Sequence, residues 1–187
     1  MSSHHIVREN QEPALLITSF KVLDQELIGQ LLEWSPTVFT DEDTVDFLLA
    51  EGIKVDFVIA PTERKFPQTQ VKTIPLFRGI IEDTLRYLVE HRYGAVNMVC
   101  DKIPESIFAY SKYVNIVLFV EEKRYVLVRR KYEKWKQKGE KIHVREDQLK
   151  SLVGIAKIDK DCFLTEQDGF IYLEFNTDDF VLLGEEI

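Results

Sequence analysis

The chain has 187 residues, 45% of them hydrophobic and 30% charged, with a formal net charge of −8. This is the composition of an ordinary globular protein long enough to bury a sizeable core, and it excludes an intrinsically disordered chain. No apolar run approaches the roughly 20 residues of a membrane-spanning helix. The polar residues 1–13 lack the apolar core of a signal peptide. Cys100 and Cys162 are too few and too far apart for a metal knuckle or a redox pair. A reduced, cytoplasmic setting without membrane attachment is therefore expected.

The predicted elements begin with a buried strand in "PALLITSF" (13–20). A helix follows in "LDQELIGQLLEW", with Leu27, Ile28, Leu31 and Leu32 on one stripe and Asp24 as its candidate N-cap. "TVF" (37–39) reads as the second strand. Thr40 or Asp41 can cap the next helix, whose apolar face is Val45, Leu48 and Leu49 and which Gly52 ends. "VDFVIA" (55–60) and "VKTIPLF" (71–77) read as the third and fourth strands, and "EDTLRYLVEHR" (82–92) as an amphipathic helix. "AVNMVC" (95–100), a short helix in "PESIFAYSKY" and "VNIVLFV" (114–120) complete the alternation. Strand and helix alternating at this pace predict a mostly parallel sheet with helices on its faces.

From about residue 121 the pattern changes. "RYVLVRRKYEKW", "EKIHVRE", "SLVGIAKI", "GFIYLEFN" and "DFVLLGEE" are strand-like runs with no helix between them, which predicts an antiparallel sheet or sandwich. The expected fold is α/β, with a parallel domain over residues 1–120 and an antiparallel β-sandwich-like domain over 121–187. Residues 123–145 hold ten Lys or Arg against two Glu. One reading is a solvated, twisted hairpin whose lysines discourage edge pairing. The other is a basic face at Arg129, Arg130 and Lys131 for a phosphorylated ligand or an acidic partner. No nucleic-acid partner is expected, because the acidic remainder of the chain would repel a long polyanion.

Familiar chemical signatures are missing. The eight glycines are isolated, so there is no phosphate loop and no dinucleotide fingerprint. His91 and His143 have no second ligand at metal spacing, and Ser106 and Ser111 lack a nucleophile elbow. Acids do gather after the strands: Asp41, Glu42 and Asp43 after the second, Glu63 after the third, Glu82 and Asp83 after the fourth. In an open α/β sheet that edge is where ligands bind, and converging carboxylates there suit a Mg²⁺–nucleotide site. Acids in the first turn of a helix also suit its dipole without any ligand.

This ordered set resembles the thiamine pyrophosphokinase family. In that family a strand ends in Ala-Asp-Gly-Gly, a helix closes on Gly-Ile-x-Pro-Asp, and a strand runs into Gly-Asp-x-Asp-Ser. Here Thr40, Asp41, Glu42 and Asp43 stand at the first motif, Gly52, Ile53, Lys54, Val55 and Asp56 at the second, and Ala60, Pro61, Thr62, Glu63 and Arg64 at the third. The resemblance implies an α/β domain, a β-sandwich domain, a homodimer, and pyrophosphate transfer from ATP to thiamine with Mg²⁺. It carries over three metal-ligand candidates, Asp41, Glu63 and Glu82, and two phosphate candidates, Arg64 and Arg78.

The departures fall on the reactive positions. Pro61 replaces the first metal-binding aspartate, and the family's Lys-Asp-x-Thr-Asp becomes "RGIIED", with Gly79 in place of its first aspartate. "DKIPESI" (101–107) holds nothing of the family's Gly-Gly-Arg-x-Asp-His. The expectation is a catalytically impaired relative, retained for binding or regulation with a thiamine-like or nucleotide ligand. Mg²⁺ and ATP are cofactors only if the family activity persists. The alternatives are a working thiamine diphosphokinase with rearranged ligands, and a non-enzymatic module that docks through the basic stretch.

Overall fold

The computed structural model describes residues 12–19 and 25–187. The expected cap at Asp24 lies outside them. Two compact units divide between Ile116 and Val117, a few residues before the change of pattern near Val120.

In the first unit the strands are β1 (Ala14–Ile17), β2 (Val38–Asp41), β3 (Phe57–Ala60), β4 (Lys72–Pro75) and β5 (Ala95–Val99). All pairings among them are parallel, in the order β4-β3-β2-β1-β5. Parallel strands covered on both faces read as unbroken apolar runs. Every residue of β1 is accordingly buried, as are Val38, Phe39, Val58, Ile59, Val96 and Met98. The helices are α1 (Gln25–Leu32), α2 (Val45–Ala50), α3 (Ile80–Glu90) and α4 (Ile107–Tyr110). Only Ile28 of the expected α1 stripe is fully buried. Gly52 closes α2 with φ 73°, the left-handed conformation that favours glycine, and donates to the Leu49 carbonyl.

The chain steps from β1 out to β4 and then returns to the other side of β1, which makes the β1–β5 gap a switch point. That gap is latched at its carboxyl end. The Thr18 N–H donates to the Val99 carbonyl at 2.9 Å, and its hydroxyl donates to the same oxygen at 3.2 Å. One strand over, the Thr40 hydroxyl donates to the Ile17 carbonyl at 2.7 Å.

The strand β6 (Asn115–Val120) spans the division, and the second unit continues with β7 (Lys123–Val128), β8 (Lys131–Lys136), β9 (Lys141–His143), β10 (Leu149–Val153), β11 (Ile155–Asp159), β12 (Cys162–Thr165), β13 (Gly169–Phe175) and β14 (Val181–Glu186). All pairings from Val117 onward are antiparallel. One sheet runs β11-β12-β9-β14-β7-β6, and a smaller one runs β10-β13-β8. Alternating residues from both meet in a core that includes Ile142, Phe163, Ile171, Leu173, Val181 and Leu183.

Two runs expected as single strands change sheets midway. "RYVLVRRKYEKW" splits into β7 and β8 at Arg129 and Arg130, where Arg130 has φ 60°. "SLVGIAKI" splits into β10 and β11 at Gly154, φ 82°. The basic stretch is therefore not a hairpin. β7 pairs with β6 and β14, while β8 pairs with β13 in the other sheet. The physical reason is the left-handed residue at each break, which turns the strand out of one sheet and into the next.

Candidate functional site

The carboxyl edge of the parallel sheet carries the sequence candidates, and Asp41, Arg64, Arg78 and Glu82 each have a local partner. β2 runs on through Thr40 to Asp41, two residues past the expected strand. Asp41 is buried, and its Oδ1 accepts the Thr44 N–H at 2.7 Å at the start of α2. Burial pushes its pKa up, against the opposing pull of the Thr44 bond. Its carboxylate holds the backbone N–H just ahead of α2, whose N-cap is Thr44 and not Thr40 or Asp41 as the sequence reading expected.

After β3 the chain turns at Pro61. Glu63 is exposed. Arg64 donates through Nη2 to both carboxylate oxygens of Asp46 on α2, each at 2.9 Å, and its guanidinium lies 5.5 Å from the Phe66 ring centroid. Glu63 and Arg64 line a groove with Lys72 and Thr73 of the edge strand β4; Asp41, Arg78 and Glu82 are not among its walls.

After β4, Arg78 pairs with Glu82 at 3.0 Å, four residues on in the first turn of α3. The buried acid of this turn is its neighbour Asp83, which has no exposed surface. Asp83 Oδ2 accepts three successive backbone N–H groups: Phe77 at 2.8 Å, Arg78 at 2.9 Å and Gly79 at 3.3 Å. Burial raises its pKa, but the three N–H bonds and nearby Arg86 outweigh burial and hold it below the usual carboxylate range. Consecutive N–H groups at a helix start form an anion-binding nest, and here the chain's own carboxylate fills it. Sequence reasoning chose Glu82 instead. No sequence signal separates these two adjacent acids; the path of the backbone over residues 77–79 does.

Among the described residues, no three or more His, Cys, Asp or Glu side chains are grouped so as to hold a metal ion. Asp41, Glu63 and Glu82 thus do not form one ligand set. As a Mg²⁺ site they do not fit, because one carboxylate is bonded to the Thr44 N–H, one faces the outer groove and one is bound to Arg78.

The basic stretch of the second unit is matched by acids. Arg129 donates through Nε to the Asp178 carbonyl, and Arg130 to the Asp178 carboxylate, both at 3.0 Å. These bonds fasten the sheet-changing corner to the turn at residues 176–179. Lys131 is exposed beside them. Lys141 pairs with Glu186 at 3.0 Å and Arg145 with Asp147. On β8, Tyr132, Lys134 and Lys136 face inward and meet Glu185 of β14, a residue only 5% exposed. The Tyr132 hydroxyl donates to Glu185 Oε1 at 2.6 Å, and Lys134 Nζ reaches both oxygens at 3.0 and 2.8 Å. Lys136 lies 3.3 Å and Arg124 3.5 Å from the same carboxylate. Burial would raise the Glu185 pKa, but these donors and charges bring it down to about 2. The stretch carries its charge partly inward, as cross-sheet bonding, which composition could not distinguish from an external face.

No protein-family model and no curated protein matches the chain. Solved structures do. The yeast thiamin pyrophosphokinase superposes with a TM-score of 0.68 at 8% identity, covering 97% of this chain and 88% of its own. The Candida albicans enzyme gives 0.66 at 8% identity, with 94% and 90% covered. The thiamine pyrophosphokinase of Bacillus subtilis gives 0.61 at 11% identity, with 92% and 97% covered. The chain therefore has the fold of the thiamine pyrophosphokinases, at 8–11% sequence identity to these three.

Proposed function

We propose that this chain is a thiamine pyrophosphokinase-like protein that does not carry out the family's transfer reaction and is retained for binding or regulation. The observation that carries this reading is the self-filled nest at α3, where Asp83 takes the N–H groups of Phe77, Arg78 and Gly79. Phosphoryl-type transfer depends on positioned charge around the transferred group. On this edge Asp41 and Asp83 are bonded to backbone N–H groups, Arg64 is bound to Asp46 and Arg78 to Glu82. Pro61, at the turn where the resemblance expects the first metal aspartate, has no carboxylate to offer. Calorimetric titration with thiamine, thiamine diphosphate and Mg²⁺–ATP tests the reading. Binding of thiamine or its diphosphate without turnover supports it, and steady product formation contradicts it.

The same reading includes a homodimer joined through the second unit. The outward face of the small sheet exposes Trp135, Phe170 and Tyr172, with Phe170 opposite Trp135 in the ladder. An exposed apolar sheet face of this kind suits a partner surface. The described residues include no helix long and apolar enough to cross a membrane.

A further inference from the structure

The α1 stripe read from the sequence is fully buried only at Ile28, while half-buried Leu27 and Leu31, one turn apart, line a pocket beside the helix. Pro13, just before β1, and Pro36, just before β2, set this pocket at the amino ends of those strands. Asp41, Glu63 and Glu82 follow the strands at the opposite edge. The pocket has a volume of about 310 Å³, at the small end of the range of small-molecule sites.

Its frame is held by the backbone. Ser35, left-handed at φ 49°, follows α1 and donates its N–H to the Leu32 carbonyl at 2.9 Å. The Leu15 N–H donates to the Thr37 carbonyl at 2.9 Å, which fastens the segment after the helix to β1. Trp34 lies in that segment and lines the mouth of the pocket, 71% exposed. A frame this restrained costs little ordering when a ligand arrives.

One lining residue is out of keeping with its place in the fold. Asn97 lies within β5, in the interior of the sheet, where asparagine is disfavoured. Its ladder neighbour Leu15 is wholly buried. The Asn97 side-chain amide, with donors and an acceptor to offer, has no hydrogen-bond partner among the described residues. Unlike Arg86 Nε and His143 Nε2, it is not sealed from entry. An amide between apolar walls matches a ligand that brings an amide of its own. Glu12, the acid that lines the pocket, opposes an anion there.

We infer that this pocket binds a small, uncharged aromatic ring bearing a carboxamide or lactam, whose amide pairs with Asn97 and whose ring stacks on Trp34. The site uses none of the carboxyl-edge residues and does not depend on the proposed loss of transfer activity.

Benzamide, acetophenone and benzoate, titrated into the full chain by calorimetry, test it. Acetophenone has the shape of benzamide without its N–H donors, and benzoate has that shape with a negative charge. Benzamide is expected to bind at least about threefold more tightly than acetophenone and at least about tenfold more tightly than benzoate. Asn97→Leu should remove the advantage over acetophenone, and Trp34→Ala should weaken benzamide at least about fivefold. Trp34 is exposed, so its variant should fold; a circular dichroism melt checks Asn97→Leu, and Asn97→Ser is the milder version. Phe77→Ala, at the carboxyl edge, should leave binding unchanged. The inference is overturned by the absence of saturable benzamide binding, by binding that survives the Asn97 and Trp34 variants, or by binding that Phe77→Ala abolishes. Acetophenone or benzoate binding as tightly as benzamide would overturn the assignment to a neutral amide.

Discussion

Asp83 accepts the backbone N–H of Arg78 at 2.9 Å from a side chain with no exposed surface. The same oxygen also serves Phe77 and Gly79. Replacing Asp83 with Ala strands those donors at the start of α3. Hydrogen bonds to charged groups contribute roughly 1.5–3 kcal/mol each, though three bonds to one oxygen are not additive, so Asp83→Ala should destabilise the chain by about 3 kcal/mol. Asp83→Asn should cost less, because its carbonyl oxygen still accepts. Urea denaturation of the two variants checks the order. A loss within about 0.5 kcal/mol, the level of an ordinary surface substitution, would remove the cap from the account.

Glu185 makes the second unit acid-sensitive. Its carboxyl has a lower pKa folded than unfolded, so it binds protons more readily in the unfolded chain. Its stabilising effect is complete above the ordinary glutamate range and is lost as pH falls toward about 2. Glu185→Gln should flatten the fall in stability between pH 5 and pH 2. Glu185→Ala should cost roughly 1.5–3 kcal/mol at pH 7, because Lys134 and the Tyr132 hydroxyl lose their acceptor while Lys136 keeps Glu140. Denaturant midpoints measured across that pH range decide the matter.

The turn between β6 and β7 offers a stabilising change. Glu121 and Glu122 have φ 49° and 60° between the paired residues Val120 and Lys123. Two central residues at positive φ make the mirror-image turn that favours Asn-Gly. Glu121→Asn with Glu122→Gly should raise stability by about 1 kcal/mol, since non-glycine residues are strained there. A thermal melt shows the gain, and an unchanged or lower midpoint would contradict it.

What the sequence made legible, and what it did not, follows the chemistry of each segment. The first unit was readable because doubly covered parallel strands leave apolar runs such as "ALLI" and "FVIA" between amphipathic helices. The β7–β8 break was not, because an unbroken charged run hides alternation. Lys134 and Lys136 look like surface residues until Glu185, some fifty positions away, supplies their partner. Glu82 and Asp83 are adjacent acids in one helical turn, and only the backbone path from Phe77 to Gly79 shows which is buried. The likeness to thiamine pyrophosphokinases was visible in the order of elements, while the roles of Asp41 and Arg64 depended on contacts with Thr44 and Asp46.

The exposed Trp135, Phe170 and Tyr172 should hold two chains together. Light scattering at micromolar concentration should give about twice the 21.9 kDa monomer mass. Trp135→Lys with Phe170→Lys should return the monomer, since charges at the centre of an apolar patch oppose its burial. A monomer mass for the unmodified chain, unchanged on concentration, would exclude the dimer.

The most direct test of the central claim is an initial-rate assay with ATP, thiamine and Mg²⁺, following AMP release. With Asp41 and Asp83 bonded to backbone N–H groups and Glu82 paired with Arg78, the chain should turn over at least ~10³-fold more slowly than the 1–100 s⁻¹ typical of kinases. Glu63→Gln should leave that residual rate unchanged. Turnover in the ordinary range, abolished by Glu63→Gln, would show instead that the rearranged residues still form a working metal site.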